Sequence, residues 1–75
     1  MKELVETIAK ALVDAPDQVK VTEQVSEKGT LITLSVAKED IGKVIGKQGR
    51  VANAIRSVVK AAGIREGIHV MVDIE

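Results

Sequence analysis

Ile45-Gly46-Lys47-Gln48-Gly49-Arg50 is the part of this chain whose residue types and spacing suggest chemistry. Two glycines bracket two long polar side chains, with an apolar pair before them and a basic residue after. Glycines at this spacing allow a sharp reversal without Cβ clashes and expose backbone N–H groups. If a helix begins near Arg50, its orphan amides and dipole favour an anion there. Lys47 and Arg50 add positive charge at the same spot, and Gln48 can donate or accept. The chemistry that fits is a grip on a phosphate. A plain helix-to-helix linker that uses glycine only for geometry fits the same six residues. Other glycine motifs fit poorly. A nucleotide P-loop needs a lysine followed by serine or threonine after a longer glycine interval, and the dinucleotide fingerprint needs a preceding strand.

The surrounding charges point the same way. No acidic residue occurs between Ile41 and Ile64, whereas Lys43, Lys47, Arg50, Arg56 and Lys60 all do. Most acids, including Glu3, Glu6, Asp14, Asp17, Glu23, Glu27 and Glu39, precede residue 40. The net charge is zero, with 11 basic and 11 acidic residues, so a locally positive face on a neutral molecule is expected rather than a generic basic coat. An ordinary solvated helix face would show the same cluster.

The elements that must position this loop follow from periodicity. Residues 2–14 read as a helix with Leu4, Ile8 and Leu12 in one stripe flanked by Val5 and Ala11, stopped by Asp14-Ala15-Pro16-Asp17. Val19 and Val21 alternate with polar residues in a strand reaching about Val25. Ser26 to Gly29 is a turn, and Thr30 to Val36 a second strand with Ile32, Leu34 and Val36 on one face. Lys38 to Ile45 reads as a short helix, with Glu39 and Asp40 in its first turn, where carboxylates meet the positive end of the dipole. Gly42 inside it costs about 1 kcal/mol against alanine, which tight packing or the close approach of a ligand or backbone would explain. Arg50 to Ala62 is the next helix, with Val51, Ala54, Ile55, Val58 and Val59 buried and Gly63 at its C-terminal cap. A turn at Arg65-Glu66-Gly67 leads to a last strand from Ile68 to Ile74. Helices on one side of a three-stranded sheet is the economical arrangement.

Composition narrows the function. The chain of 75 residues has no cysteine and no aromatic residue, so its core is aliphatic and its stability modest. No apolar run is long enough to span a membrane, the N-terminus does not read as a signal peptide, and a cytoplasmic location is the default. His69 is the only histidine. Asp73 shares its strand face but stands about 13 Å away, too far for a catalytic pair, and scattered carboxylates make no metal site. An enzyme, a metal and a cofactor are therefore not expected. A protein-interaction module remains a rival, because Leu31 and Met71 stand among polar residues on the outer sheet face. Single-stranded DNA remains another.

Val44-Ile45-Gly46-Lys47-Gln48-Gly49-Arg50-Val51-Ala52-Asn53-Ala54-Ile55 resembles the KH-domain signature: an apolar pair, GxxG, then an isoleucine on the following helix. With the MKELVETIAKALVD opening and the IGKVIGKQGR centre, the whole chain is similar to the KhpA family of small RNA-binding proteins. The resemblance implies an α+β fold, a type II KH domain over residues 1–75, ordered helix-strand-strand-helix-helix-strand with a three-stranded mixed sheet. It implies that Gly46, Lys47, Gln48 and Gly49 clamp the backbone of single-stranded RNA. Ile41, Gly42, Val44 and Ile45 would line or support the groove. Ala52, Asn53 and Ile55 follow on the next helix, some facing bases and others the core, and Lys43, Arg50 and Arg56 would reach flanking phosphates. Which strand forms the opposite wall is left open. The resemblance also implies an RNA chaperone acting with a KhpB-like, KH-containing partner, self-association as a homodimer, and a link to cell length and peptidoglycan homeostasis. Without aromatic stacking, one copy should bind weakly and permissively, and pairing two domains would add avidity.

Overall fold

The computed structural model describes all 75 residues. Its elements run α1 (Lys2–Leu12), β1 (Lys20–Ser26), β2 (Gly29–Ser35), α2 (Ile41–Ile45), α3 (Arg50–Glu66) and β3 (Val70–Ile74), with single 3₁₀ turns at Pro16–Gln18, Lys38–Asp40 and Lys47–Gly49. The order is the one expected from periodicity. The strands lie in the order β1-β2-β3; β1 pairs antiparallel with β2, from Lys20 opposite Ser35 to Ser26 opposite Gly29, and β2 pairs parallel with β3. The sheet is therefore mixed, and the α2–α3 pair makes the crossover that a parallel β2–β3 pairing requires.

Alternation in β2 works as read: Ile32 and Leu34 are fully buried and Val36 just beyond is nearly so, while Leu31, Thr33 and Ser35 are half-buried on the open face. Val5 and Ala9 of α1, Val21, Val44, Ile55, Val59 and Val70 complete the core around them. All are aliphatic, so the interior is held by close packing of small branched side chains, each worth about 1.5–3 kcal/mol of burial.

Two helical stripes are rotated from the expected ones. In α1 the buried residues are Val5 and Ala9, whereas Leu12 is exposed and Leu4 and Ile8 pack at the margin. In α3 the buried line is Ala52, Ile55, Val59 and Gly63; Ala54 and Val58 face solvent and Val51 is half-buried. In α1 the line moves from Leu4, Ile8 and Leu12 to Val5 and Ala9, and in α3 Ile55 and Val59 stay buried while Ala52 and Gly63 replace Val51, Ala54 and Val58 beside them. The end of α3 differs as well. Gly63 does not cap it; the helix continues through Arg65 and Glu66 and is capped by Gly67 at φ 74°. A Cβ at Gly63 would lie 2.8 Å from Val70 Cγ2 and 2.9 Å from the Ile68 carbonyl oxygen. Gly63 thus lets α3 pack directly on the start of β3, and its carbonyl accepts the Ile68 N–H at 2.8 Å. The last strand begins at Val70 rather than Ile68, which is exposed.

A buried carboxylate joins α1 to α2. Asp40 is 2% exposed and accepts hydrogen bonds from the N–H groups of Asp14 at 3.2 Å and Ala15 at 3.1 Å. It makes no side-chain cap on its own helix, contrary to the first-turn role expected of it. Pro16 ends the α1 region, and Asp40 satisfies the two amides stranded just before it. Burial alone would raise the Asp40 pKa, but these two hydrogen bonds and Lys43 together outweigh it and hold the carboxyl below the ordinary aspartate value.

Two outcomes follow for stability. Gly63→Ala should lower the unfolding free energy by about 1–3 kcal/mol through overpacking, despite alanine's better helix propensity; urea denaturation that finds the variant as stable as the parent would show that β3 can move away. Because the folded-state pKa of Asp40 is depressed, its contribution is present above the unfolded pKa and lost as pH falls through the folded one. The parent should therefore lose stability below about pH 4, while Asp40→Asn should be weaker at pH 7 with a shallower acid decline in parallel denaturation curves. Equal acid slopes would remove Asp40 as a cause.

Candidate nucleic-acid interface

Helix α2 ends at Gly46, whose φ of 76° and ψ of 176° turn the chain sharply while its N–H still donates to the Gly42 carbonyl at 2.8 Å. A Cβ there would come within 2.4 Å of Val51 Cγ2 and 3.0 Å of the Val51 nitrogen, so only glycine allows the loop to lie against the first turn of α3. Gln48 and Gly49 follow with φ of 56° and 74°, both left-handed. A glutamine in that region is uncommon, and it projects from the tip of the loop into solvent. A Cβ at Gly49 would have only Asn53 Nδ2 near it, at 4.0 Å, so the surface before α3 is open. Gly49 is the N-cap and offers no side-chain hydrogen bond, which leaves the helix's first-turn amides without a side-chain partner.

The charges around the loop divide into free and committed groups. Lys47 and Arg50 are exposed and form no ion pair within the chain. Lys43 is committed: its ammonium donates to Asp14 Oδ2 and lies 3.5 Å from Asp40 Oδ1. The hydrogen bond to Asp14 outweighs partial burial and raises the Lys43 pKa above the ordinary lysine value. Lys43 therefore faces the α1–α2 junction, where two carboxylates compete with any phosphate. Gly42 is exposed and a Cβ there would meet nothing within 4 Å, so tight packing does not account for it and its face of α2 is open. Ile45 is half-buried against the core; Val44, Ala52 and Ile55 are buried and belong to the core alone.

Asn53 and Arg56 are exposed on α3 and linked, Arg56 Nη1 donating to Asn53 Oδ1 at 3.4 Å. Arg56 Nε also donates to the Val72 carbonyl at 3.3 Å. That contact puts β3 beside this flank of α3, which makes it the candidate for the strand left open in the sequence. Strand β3 is a sheet edge beside α3. The His69 carbonyl accepts from Thr30 and the Glu75 N–H donates to Leu34, both at 2.8 Å and both toward β2. By alternation along a parallel ladder, Val70, Val72 and Ile74 turn their N–H and C=O groups to the free edge. A groove pocket of about 320 Å³ runs there, lined by Arg56, Lys60, His69, Val70, Met71 and Val72. Lys60, His69, Val70 and Val72 were not among the expected site residues. The alternation of the last strand separates its two faces, but which of its edges is free depends on a long-range pairing that no local pattern encodes.

The arrangement is a glycine-bracketed loop with Lys47 and Arg50 unpaired, at the head of a helix whose flank and a sheet edge border a groove of mixed polar and apolar lining. The family described as KhpA/KhpB, KH domain matches residues 2–74. The chain is 58% identical to the RNA-binding protein KhpA of Clostridium acetobutylicum and 60% identical to that of Clostridium perfringens, covering 99% of each chain in both comparisons. It is 47% identical to KhpA of Aquifex aeolicus, over 99% of this chain and 94% of that one. The crystal structure of an Aquifex aeolicus Era variant bound to GDP and AlF4− superposes with a TM-score of 0.62 at 19% identity, covering 97% of this chain and 28% of Era; that likeness concerns the fold. With its helix-strand-strand-helix-helix-strand order and mixed sheet, the chain is a type II KH domain and belongs to the KhpA/KhpB KH-domain family.

Proposed function

We propose that this chain binds single-stranded RNA by gripping its sugar-phosphate backbone at Gly46-Lys47-Gln48-Gly49 and laying bases between α3 and the edge of β3. The observation that carries this reading is the loop itself. Its backbone is fixed by the Gly46–Val51 contact, and Lys47 and Arg50 have no acid within the chain to neutralise them. Relatives up to 60% identical over nearly the whole chain carry the name RNA-binding protein KhpA, which agrees with it. Gly42 and Ile45 supply an open, partly apolar surface on the α2 side, and Asn53 and Arg56 the polar flank on α3. Lys43 contributes only if phosphate displaces Asp14. Phosphate contacts position the strand without reading it, and no aromatic residue is available to stack on bases, so affinity is low and sensitive to salt. The resemblance to the family extends the reading to a cytoplasmic RNA chaperone that acts with a KhpB-like partner or as a homodimer, in pathways governing cell length and peptidoglycan; two linked grips would compensate for the weakness of one.

Fluorescence polarisation with short unstructured RNAs tests the grip. With two or three phosphates neutralised, the log–log salt dependence should have a slope of about −1.4 to −2.1. The double substitution Lys47→Asp, Gln48→Asp should abolish binding while circular dichroism shows an unchanged fold; aspartate tolerates the left-handed backbone at position 48. A folded double variant that binds as tightly as the parent would place the RNA elsewhere.

A further inference from the structure

Asp14 is an acid whose place in the fold does not explain it. It lies just beyond the C-terminal cap of α1, where the helix dipole disfavours a negative charge. It caps no helix: the 3₁₀ turn at Pro16–Gln18 starts from Ala15 and has no side-chain cap. Its side chain is 84% exposed, and its one partner is the Lys43 ammonium. The junction of α1 with α2 does not use that carboxylate, because Asp40 is held there by the backbone N–H of Asp14 and not by its side chain. Lys43 is placed to be contested. It stands three residues before Gly46, about 4.5 Å of helix rise from the loop, on a flexible four-carbon stem. Beside it Gly42 has no side chain and faces open space. An ion pair between exposed groups is weak and screened by salt, so Asp14 holds Lys43 without locking it.

Resting on the RNA reading above, we infer that Asp14 is a built-in competitor of the RNA backbone: its carboxylate occupies Lys43, and a phosphate beside the Gly46–Gly49 loop must displace it to gain that cation. The apparent affinity is then reduced according to the fraction of molecules in which Lys43 is held. The competition also blunts the response to salt, because salt loosens the internal pair as well as the phosphate contact. An acid outside the loop, on the segment that follows α1, thus keeps the grip weaker than its basic residues alone would make it.

Asp14→Asn removes the charge and keeps the backbone N–H that Asp40 uses. In polarisation titrations with a short unstructured RNA it should bind about two- to fivefold more tightly than the parent. Its log–log salt slope should be steeper by up to about 0.7, the worth of one phosphate contact on a single strand. Asp17→Asn makes the same change of net charge at an acid with no ion pair, and should gain less and keep the parent's slope. Lys43→Gln should cost about two- to fivefold more affinity in the Asp14→Asn background than in the parent. An Asp14→Asn variant with the parent's affinity and slope overturns the inference. So does an equal gain from Asp17→Asn, for then only net charge matters. So does an equal cost of Lys43→Gln in both backgrounds, for then the two residues are not coupled. The salt slope of Asp14→Asn needs no change at position 43, so it decides the question even where Lys43→Gln unfolds the chain. If Asp14→Asn matches the parent and the Lys47→Asp, Gln48→Asp variant still loses RNA, this inference fails and the RNA grip stands. If neither the folded parent nor Asp14→Asn binds any single-stranded RNA, both fail together.

Discussion

The contact of Gly46 with Val51 is the constraint on which the rest of the site depends. It folds the end of α2 against the first turn of α3 at a distance no side chain at position 46 would permit. Everything the loop presents follows from that closure: the left-handed backbone at Gln48 and Gly49, the outward Lys47 and Arg50, and the uncapped start of α3. The geometry exists before a ligand arrives. On the proposed reading, weak contacts to phosphate would then not be burdened by the cost of ordering a flexible loop.

The fold supports this closure from two directions with limited means. Its interior is aliphatic throughout, and α3 reaches the sheet closely because Ala52 and Gly63 stand where larger residues would hold it off. Asp40 acts at the other side. By satisfying the Asp14 and Ala15 amides it fixes the end of α1 to the start of α2, five residues before Gly46 begins the turn. The same carboxylate holds Lys43 near Asp14, so one of the basic residues close to the loop serves the scaffold while Lys47 and Arg50 stay free.

Most of the fold was legible because it rests on local patterns. Alternation located β2 and its buried face, Pro16 located the end of α1, and the Gly46–Gly49 interval located the loop. The misread parts depend on contacts between distant segments. Gly63 looks like a helix terminator until Val70 and Ile68 are seen against it. The buried line of α3 keeps Ile55 and Val59 as expected but is completed by Ala52 and Gly63 rather than by Val51, Ala54 and Val58. Asp40 looks like a helix-start carboxylate, although its partners lie on the segment 25 and 26 residues earlier. The site divided in the same way. The loop half of the candidate site is contiguous, so its position could be read directly. Its β3 half, with Lys60 and the Val70 and Val72 backbone, is assembled by parallel pairing and could not be.

On the proposed reading, the Gly46–Gly49 loop at one end and the free edge of β3 at the other would give a single strand a path across a small neutral protein. The most direct measurement is a ¹⁵N-labelled amide spectrum recorded during titration with a short unlabelled single-stranded RNA. The largest shifts should fall on Gly46 to Arg50, continue through Asn53 and Arg56, and reach Val70 and Val72. Shifts confined to the open sheet face, at Thr22, Leu31, Thr33 and Met71, with the Gly46–Gly49 amides unmoved, would contradict an RNA grip at the loop.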